Sequence, residues 1–141
     1  AKEEGGKVLT SSEVKGLSEE NKNGYYMRPT VITGLSPQCR VQQEEIFGPV
    51  VTITPFKTED EVLEMANGVK YGLSATLWTE NASRVHRMSK EIQAGTVWVN
   101  SWMYRNLKAP LGGMKQSGIG REGGDYSLNF FTETQLVSIS Y

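Results

Sequence analysis

Apolar residues are unevenly spaced along this chain, and the regular part begins at Val50. The run Val50 to Phe56 follows a Gly48-Pro49 turn and is rich in β-branched residues, which predicts a strand. Thr58 and Glu61 stand at the spacing of a capping box, so a helix should open there. Val62, Met65, Ala66 and Val69 recur at i, i+3, i+4 and i+7 on one helical face, and Gly68 provides the stop. Leu73, Ala75 and Leu77 alternate with Ser74 and Thr76, predicting a second strand that ends at Trp78. Asn81 is placed to cap a second helix with the stripe Val85, Met88 and Ile92, and Gly95 ends it. Thr96 to Asn100 makes a third strand. This order implies an α/β fold with an open parallel sheet on a βαβαβ core. Ligands bind such sheets beyond the carboxyl ends of the strands, which points to Asn100 and the loop from Ser101 to Gly113.

The flanking segments are less regular. Lys7 to Thr10 suits a short strand, and Ser11 to Asn23, polar and without apolar periodicity, suits an exposed loop. Tyr25 to Ile32 is aromatic and β-branched around Pro29, so it should be an irregular or edge strand. Ser36-Pro37-Gln38 then turns the chain. At the far end, Tyr126, Phe130 and Phe131 suggest a short aromatic-faced helix over Asp125 to Thr132. Val137, Ile139 and Tyr141 alternate with Leu136, Ser138 and Ser140 as a final strand. That strand needs a distant partner or another subunit, because an open edge is a liability. The expected division is residues 1–124, then a helix and strand over residues 125–141.

Composition narrows the function classes. A chain of 141 residues is sized for one domain, and 15 basic against 16 acidic residues leave no basic stripe for nucleic acid. No apolar run approaches the about 18 residues of a membrane-spanning helix. Cys39 is the only cysteine, which precludes an internal disulfide framework and suits a reducing, cytoplasmic setting. The start, Ala1-Lys2-Glu3-Glu4-Gly5-Gly6, has neither an initiator methionine nor a signal peptide, and we expect a longer protein around it.

Several residues carry candidate chemistry. Glu44 and Glu45 sit at the mouth of the Val50 strand beside Phe47. By pattern they are solvated loop carboxylates, but a carboxylate fixed beside a ring also suits a ribose diol under a flat heterocycle. Cys39 has Arg40 next to it, which favours a thiolate, yet no histidine is near in sequence and a small hydrophobe at a strand end is its expected role. His86, the single histidine, falls one position off its helix's apolar stripe and should be half exposed. Gly118-Ile119-Gly120-Arg121-Glu122-Gly123 matches a dinucleotide fingerprint, but it follows a polar loop and not a buried strand. We expect a tight loop passing close to another segment, with Arg121 and Glu122 available for a local ion pair. Asn81-Ala82-Ser83 is a glycosylation sequon better explained as a helix start. Arg105 opens from the carboxyl end of a strand among aromatics. It is either a surface arginine or a clamp whose two parallel donors meet one carboxylate.

Ordered blocks then suggest a family. Glu44-Glu45-Ile46-Phe47-Gly48-Pro49-Val50 resembles a characteristic motif of the NAD(P)-dependent aldehyde dehydrogenases. So do Arg28-Pro29-Thr30-Val31, Ala66-Asn67 with Tyr71-Gly72-Leu73-Ser74-Ala75, Gly95-Thr96-Val97-Trp98-Val99-Asn100, and Pro110-Leu111-Gly112-Gly113-Met114-Lys115-Gln116-Ser117-Gly118-Ile119-Gly120-Arg121-Glu122. The resemblance implies that Glu45 holds the nicotinamide ribose of NAD, with NADP also open, and that Phe47 packs near the nicotinamide ring. Trp102 to Leu107 resembles the branch that oxidises muconic semialdehydes, implying that Arg105 meets a substrate carboxylate and Leu111 lines the aldehyde pocket. The last strand would join an oligomerisation sheet in a homo-oligomer. The family's cysteine in its Gly-Gln-x-Cys setting and its general-base glutamate motif are absent here, as is the Rossmann half. No catalytic residue or metal ligand is therefore assigned, and we expect a C-terminal piece that is inactive alone. The rival is a non-catalytic assembly module derived from such an enzyme.

Overall fold

A computed structural model describes residues 1–10 and 16–141. The first part of the loop expected over Ser11 to Asn23 lies outside the described residues; its remainder is largely exposed and holds one 3-10 turn, Glu19–Asn21. The chain forms two compact units, Ala1–Thr54 and Pro55–Tyr141.

In the first unit, β1 (Lys7–Thr10) and β2 (Thr30–Thr33) pair antiparallel, from Lys7 opposite Thr33 to Thr10 opposite Thr30. Pro29, which has no N–H to give a ladder, stands just before β2, so the aromatic half of Tyr25 to Ile32 stays irregular as expected. One helical turn, α1 (Arg40–Gln43), follows, and the Arg40 N–H donates to Glu4 Oε1 at 3.0 Å.

Local signals decide the second unit. Helix α2 (Glu59–Asn67) starts where Thr58 Oγ1 accepts from the Glu61 N–H at 3.2 Å, while Glu61 Oε2 accepts from the Lys57 N–H at 2.7 Å. The capping box is present, displaced by one residue on its return arm. Gly68 ends the helix, and Lys115 Nζ crosses to donate to the carbonyls of Asn67 at 2.7 Å and Val69 at 3.0 Å, a cation at the negative end of the helix. The two-residue strands β3 (Tyr71–Gly72) and β6 (Met114–Lys115) pair antiparallel, and β4 (Ser74–Leu77) pairs parallel with β5 (Thr96–Val99). Between them runs α3 (Ala82–Glu91), capped by Asn81 Oδ1, which accepts from the Arg84 N–H at 2.9 Å. Met88, on the expected stripe, is buried. Glu59 ties the two helices: Arg84 Nε donates to its carboxylate at 2.6 Å and Arg87 Nη2 at 2.8 Å. Helix α4 (Gly124–Phe131) matches the aromatic helix expected near the end.

Two expectations need correction. The βαβαβ core is realised as one βαβ unit, because Val50 to Phe56 joins no ladder among the described residues, with Val51 and Ile53 81% and 89% exposed. Leu136 to Tyr141 pairs with no described strand of its own chain, and the expected pairing with another subunit lies outside a single chain. For Val50 to Phe56 the reason is that a β-branched run reports a preference for extended backbone, whereas a strand also needs a ladder partner, and it has none among the described residues. Finally, α3 closes at Ile92 and not at Gly95. Gly95 has a different task, since a Cβ there would stand 1.6 Å from the Gly112 carbonyl oxygen. The glycine lets two backbones touch.

Candidate active site

The acidic motif of the first unit separates into two kinds of carboxylate. Arg40 donates through Nε to Glu44 Oε1 at 2.9 Å and through Nη2 to Oε2 at 2.8 Å, a bidentate i, i+4 pair that raises the already high pKa of the guanidinium. Glu44 is thereby committed to the turn. Glu45 is exposed and hydrogen-bonds to no described residue, so its acceptor sites are open. Phe47 holds a left-handed backbone at φ 56° and is 92% exposed as a residue. An open carboxylate two residues from a presented ring has the chemistry a ribose diol and a flat heterocycle require.

The second unit holds the other candidates. Beyond the carboxyl end of β5, Asn100 adopts φ 50°, and its amide takes the Thr79 N–H at 2.9 Å and gives to the Thr79 carbonyl at 2.8 Å. Trp98 anchors the following loop: its indole N–H donates to the Tyr104 carbonyl at 2.7 Å, and its ring meets Trp102 edge-on with centroids 5.5 Å apart. Arg105 comes next, and its Nη2 donates to Glu122 Oε1 at 2.6 Å. Arg105 is 40% exposed and the remaining guanidinium N–H groups have no partner among the described residues.

Glu122 is bound on its main chain as well. Its N–H and carbonyl both pair with Leu111 at 2.8 Å, so Arg105 and Leu111, expected separately as substrate contacts, are joined through one residue. Leu111 and Glu122 also line a cavity of about 500 Å³ with Leu73, Ile119, Phe130 and Phe131. The local ion pair expected between Arg121 and Glu122 is absent. Arg121 Nη1 instead donates to the carbonyls of Gly113 at 2.9 Å and Gly120 at 2.6 Å, and Glu122 turns to the partner 17 residues back. The glycine run does make the close passage expected of it. Gly118, Gly120 and Gly123 all have positive φ, and a Cβ at Gly123 would stand 2.4 Å from the Ala109 carbonyl oxygen.

Two residues stay outside the site. Cys39 is buried at 5% exposure, a small hydrophobe as expected, but at the start of α1 and not at a strand end. His86 is exposed on α3. Sequence reasoning missed Glu122 as Arg105's partner, since nothing in a linear pattern joins positions 17 apart. It also left Glu44 undistinguished from Glu45, although Arg40 four residues earlier was a usable signal.

These elements form a mixed α/β fold with one parallel strand pair, an arginine-bearing loop after the end of β5 and, in the other unit, an open carboxylate and an exposed ring. The chain belongs to the aldehyde dehydrogenase family, whose profile matches residues 1–137. It is 49% identical over 99% of its length to the 2-hydroxymuconic semialdehyde dehydrogenase of Pseudomonas sp. (strain CF600). It is 48% identical over its full length to the 2-aminomuconic semialdehyde dehydrogenase of Mus musculus. Among solved structures it resembles the NAD+ complex of aldehyde dehydrogenase from Bacillus cereus, with TM-score 0.77 and 45% identity over 94% of the chain. It covers 29% of each of the two relatives and 26% of the Bacillus chain, less than a third of their lengths. No helix among the described residues is long and apolar enough to cross a membrane.

Proposed function

We propose that this chain is the C-terminal part of an NAD(P)-dependent aldehyde dehydrogenase that oxidises a carboxylate-bearing semialdehyde to the corresponding acid. Glu45 holds the nicotinamide ribose and Phe47 packs near the ring; their open acceptors and exposed face suit that ligand. Bound nicotinamide supplies the hydride acceptor of the reaction. Residues 1–124 belong to the catalytic domain, and residues 125–141 carry the helix and a strand that joins a sheet in a cytoplasmic homo-oligomer. The nucleophile and general base lie elsewhere in the enzyme, so the chain alone is inactive. Buried Cys39 is not their substitute.

The observation that carries the substrate class is Arg105, an exposed guanidinium past a strand end whose single described partner leaves donors open for a second carboxylate. Relatives named for muconic semialdehydes support the same class. Leu111, half-buried and paired on its main chain with Glu122, lines the aldehyde pocket. In the intact gene product, Arg105→Leu is expected to lower kcat/KM for an acid-bearing semialdehyde by about 10- to 100-fold, the worth of a charge-assisted pair, and far less for a simple aldehyde. Equal loss on both substrates would overturn the assignment.

A further inference from the structure

Glu122 is the one carboxylate bonded to Arg105 among the described residues. It is fixed at its own backbone by the two hydrogen bonds to Leu111, so it can hold a long side chain in place. Only Glu122 Oε1 and Arg105 Nη2 are used between them, and the guanidinium fork retains further donors. Resting on the reading of Arg105 as a carboxylate clamp, we propose that Glu122 is a positioning residue for substrate specificity. It holds Arg105 in its receiving orientation and, through Leu111, sets the clamp in register with the aldehyde pocket.

The alternative is an ordinary surface ion pair, which contributes little. Two features separate Glu122 from that case. Its main chain is doubly bonded to another candidate pocket residue, and its partner's loop is fixed independently by the Trp98 indole at Tyr104. With both ends held, the pair restricts a side chain that would otherwise sample many rotamers. Ordering such a side chain on binding costs the equivalent of about two- to twelvefold in affinity. A guanidinium already ordered by Glu122 spares the substrate that cost, and only a substrate bearing a carboxylate gains from it.

The test uses the intact gene product and two substrates, an acid-bearing semialdehyde and a neutral aldehyde of similar length. Glu122→Ala is expected to raise KM for the acid-bearing substrate roughly tenfold with kcat little changed, so the ratio of kcat/KM between the substrates falls by about that factor. Glu122→Gln keeps an uncharged acceptor and is expected to fall between wild type and Glu122→Ala; it also serves if the alanine variant does not fold. In an Arg105→Leu background, Glu122→Ala should change the ratio no further. A ratio unmoved in both Glu122 variants, or an equal effect with and without Arg105, would overturn the proposal while leaving the clamp intact. If Arg105→Leu itself leaves the ratio unchanged, the clamp reading fails instead.

Discussion

Gly95→Ala is expected to destabilise the second unit by about 3 to 5 kcal/mol. The added methyl would stand 1.6 Å from the Gly112 carbonyl oxygen and 2.8 Å from its carbon. That is about half of a normal non-bonded separation of roughly 3.5 Å. The obstacle is backbone, so no rotamer change relieves it, and one of the two segments must move. Overpacking of this kind costs about 1 to 3 kcal/mol. Moving the strand also strains the Gly95 N–H bond to the Gly72 carbonyl at 3.0 Å and the Thr96 bond to Leu73 at 3.2 Å, each worth about 1 kcal/mol. Gly112 follows Leu111 directly, so the shift reaches the candidate substrate pocket as well. The assay is thermal unfolding of the intact gene product followed by circular dichroism, beside Gly48→Ala, where a methyl meets nothing within 4 Å. Gly48→Ala should move the midpoint by less than about 2 °C. A Gly95→Ala protein that melts as close to wild type as that would refute the close approach.

Glu59 gives a pH dependence. Arg84, and then Arg87, hydrogen-bond its carboxylate and hold its pKa below the ordinary 4.5, so the stabilisation is complete above about that pH and is lost as the pH falls through the depressed folded value. The melting-temperature gap between wild type and Glu59→Gln should therefore narrow from about pH 6 to about pH 3; a constant gap would show that the charge contributes nothing. Asn81→Ala removes the acceptor for the Arg84 N–H and should cost about 1 kcal/mol in chemical denaturation, with Asn81→Ser close to wild type. Equal losses in both variants would deny the cap.

What the sequence reveals here follows the range of the interaction. Thr58 and Asn81 cap the helices expected of them because a cap is decided within three residues. The stripe through Met88 is equally local and appears as expected, whereas β4 forms as a strand but without the expected alternation, since Thr76 is as covered as Ala75 and Leu77 and Leu73 is exposed. Strand pairing is not local, and this is where the expectation fails: Val50 to Phe56 has the composition of a strand but no ladder partner among the described residues. Gly95 illustrates the same limit from the other side. A glycine after a helix resembles a stop, and only the fold brings Gly112 against it. The candidate site divides in the same way. Glu45, Phe47, Arg105 and Leu111 are candidates from motif and resemblance, whereas the bond between Arg105 and Glu122 depends on the Leu111 bridge that returns the glycine loop.

Backbone strain separates structural from functional explanations at these positions. Among the described residues, Phe47, Asn100, Met103 and Lys115 have positive φ without being glycine. Each such conformation costs about 1 to 2 kcal/mol and persists only where the surroundings fix it. Asn100 is held by its paired bonds to Thr79, and Lys115 by its reach to the end of α2, so both have sufficient structural reasons. Met103 lies between Trp102, whose ring meets Trp98, and Tyr104, whose carbonyl accepts from the Trp98 indole, so the neighbours on both sides are fixed. Phe47 differs, because its ring is exposed and a glycine would adopt the same backbone at no steric cost. No contact among the described residues gives a reason for a bulky aromatic at that turn. The proposed packing of Phe47 on a ring beside the open carboxylate of Glu45 supplies such a reason.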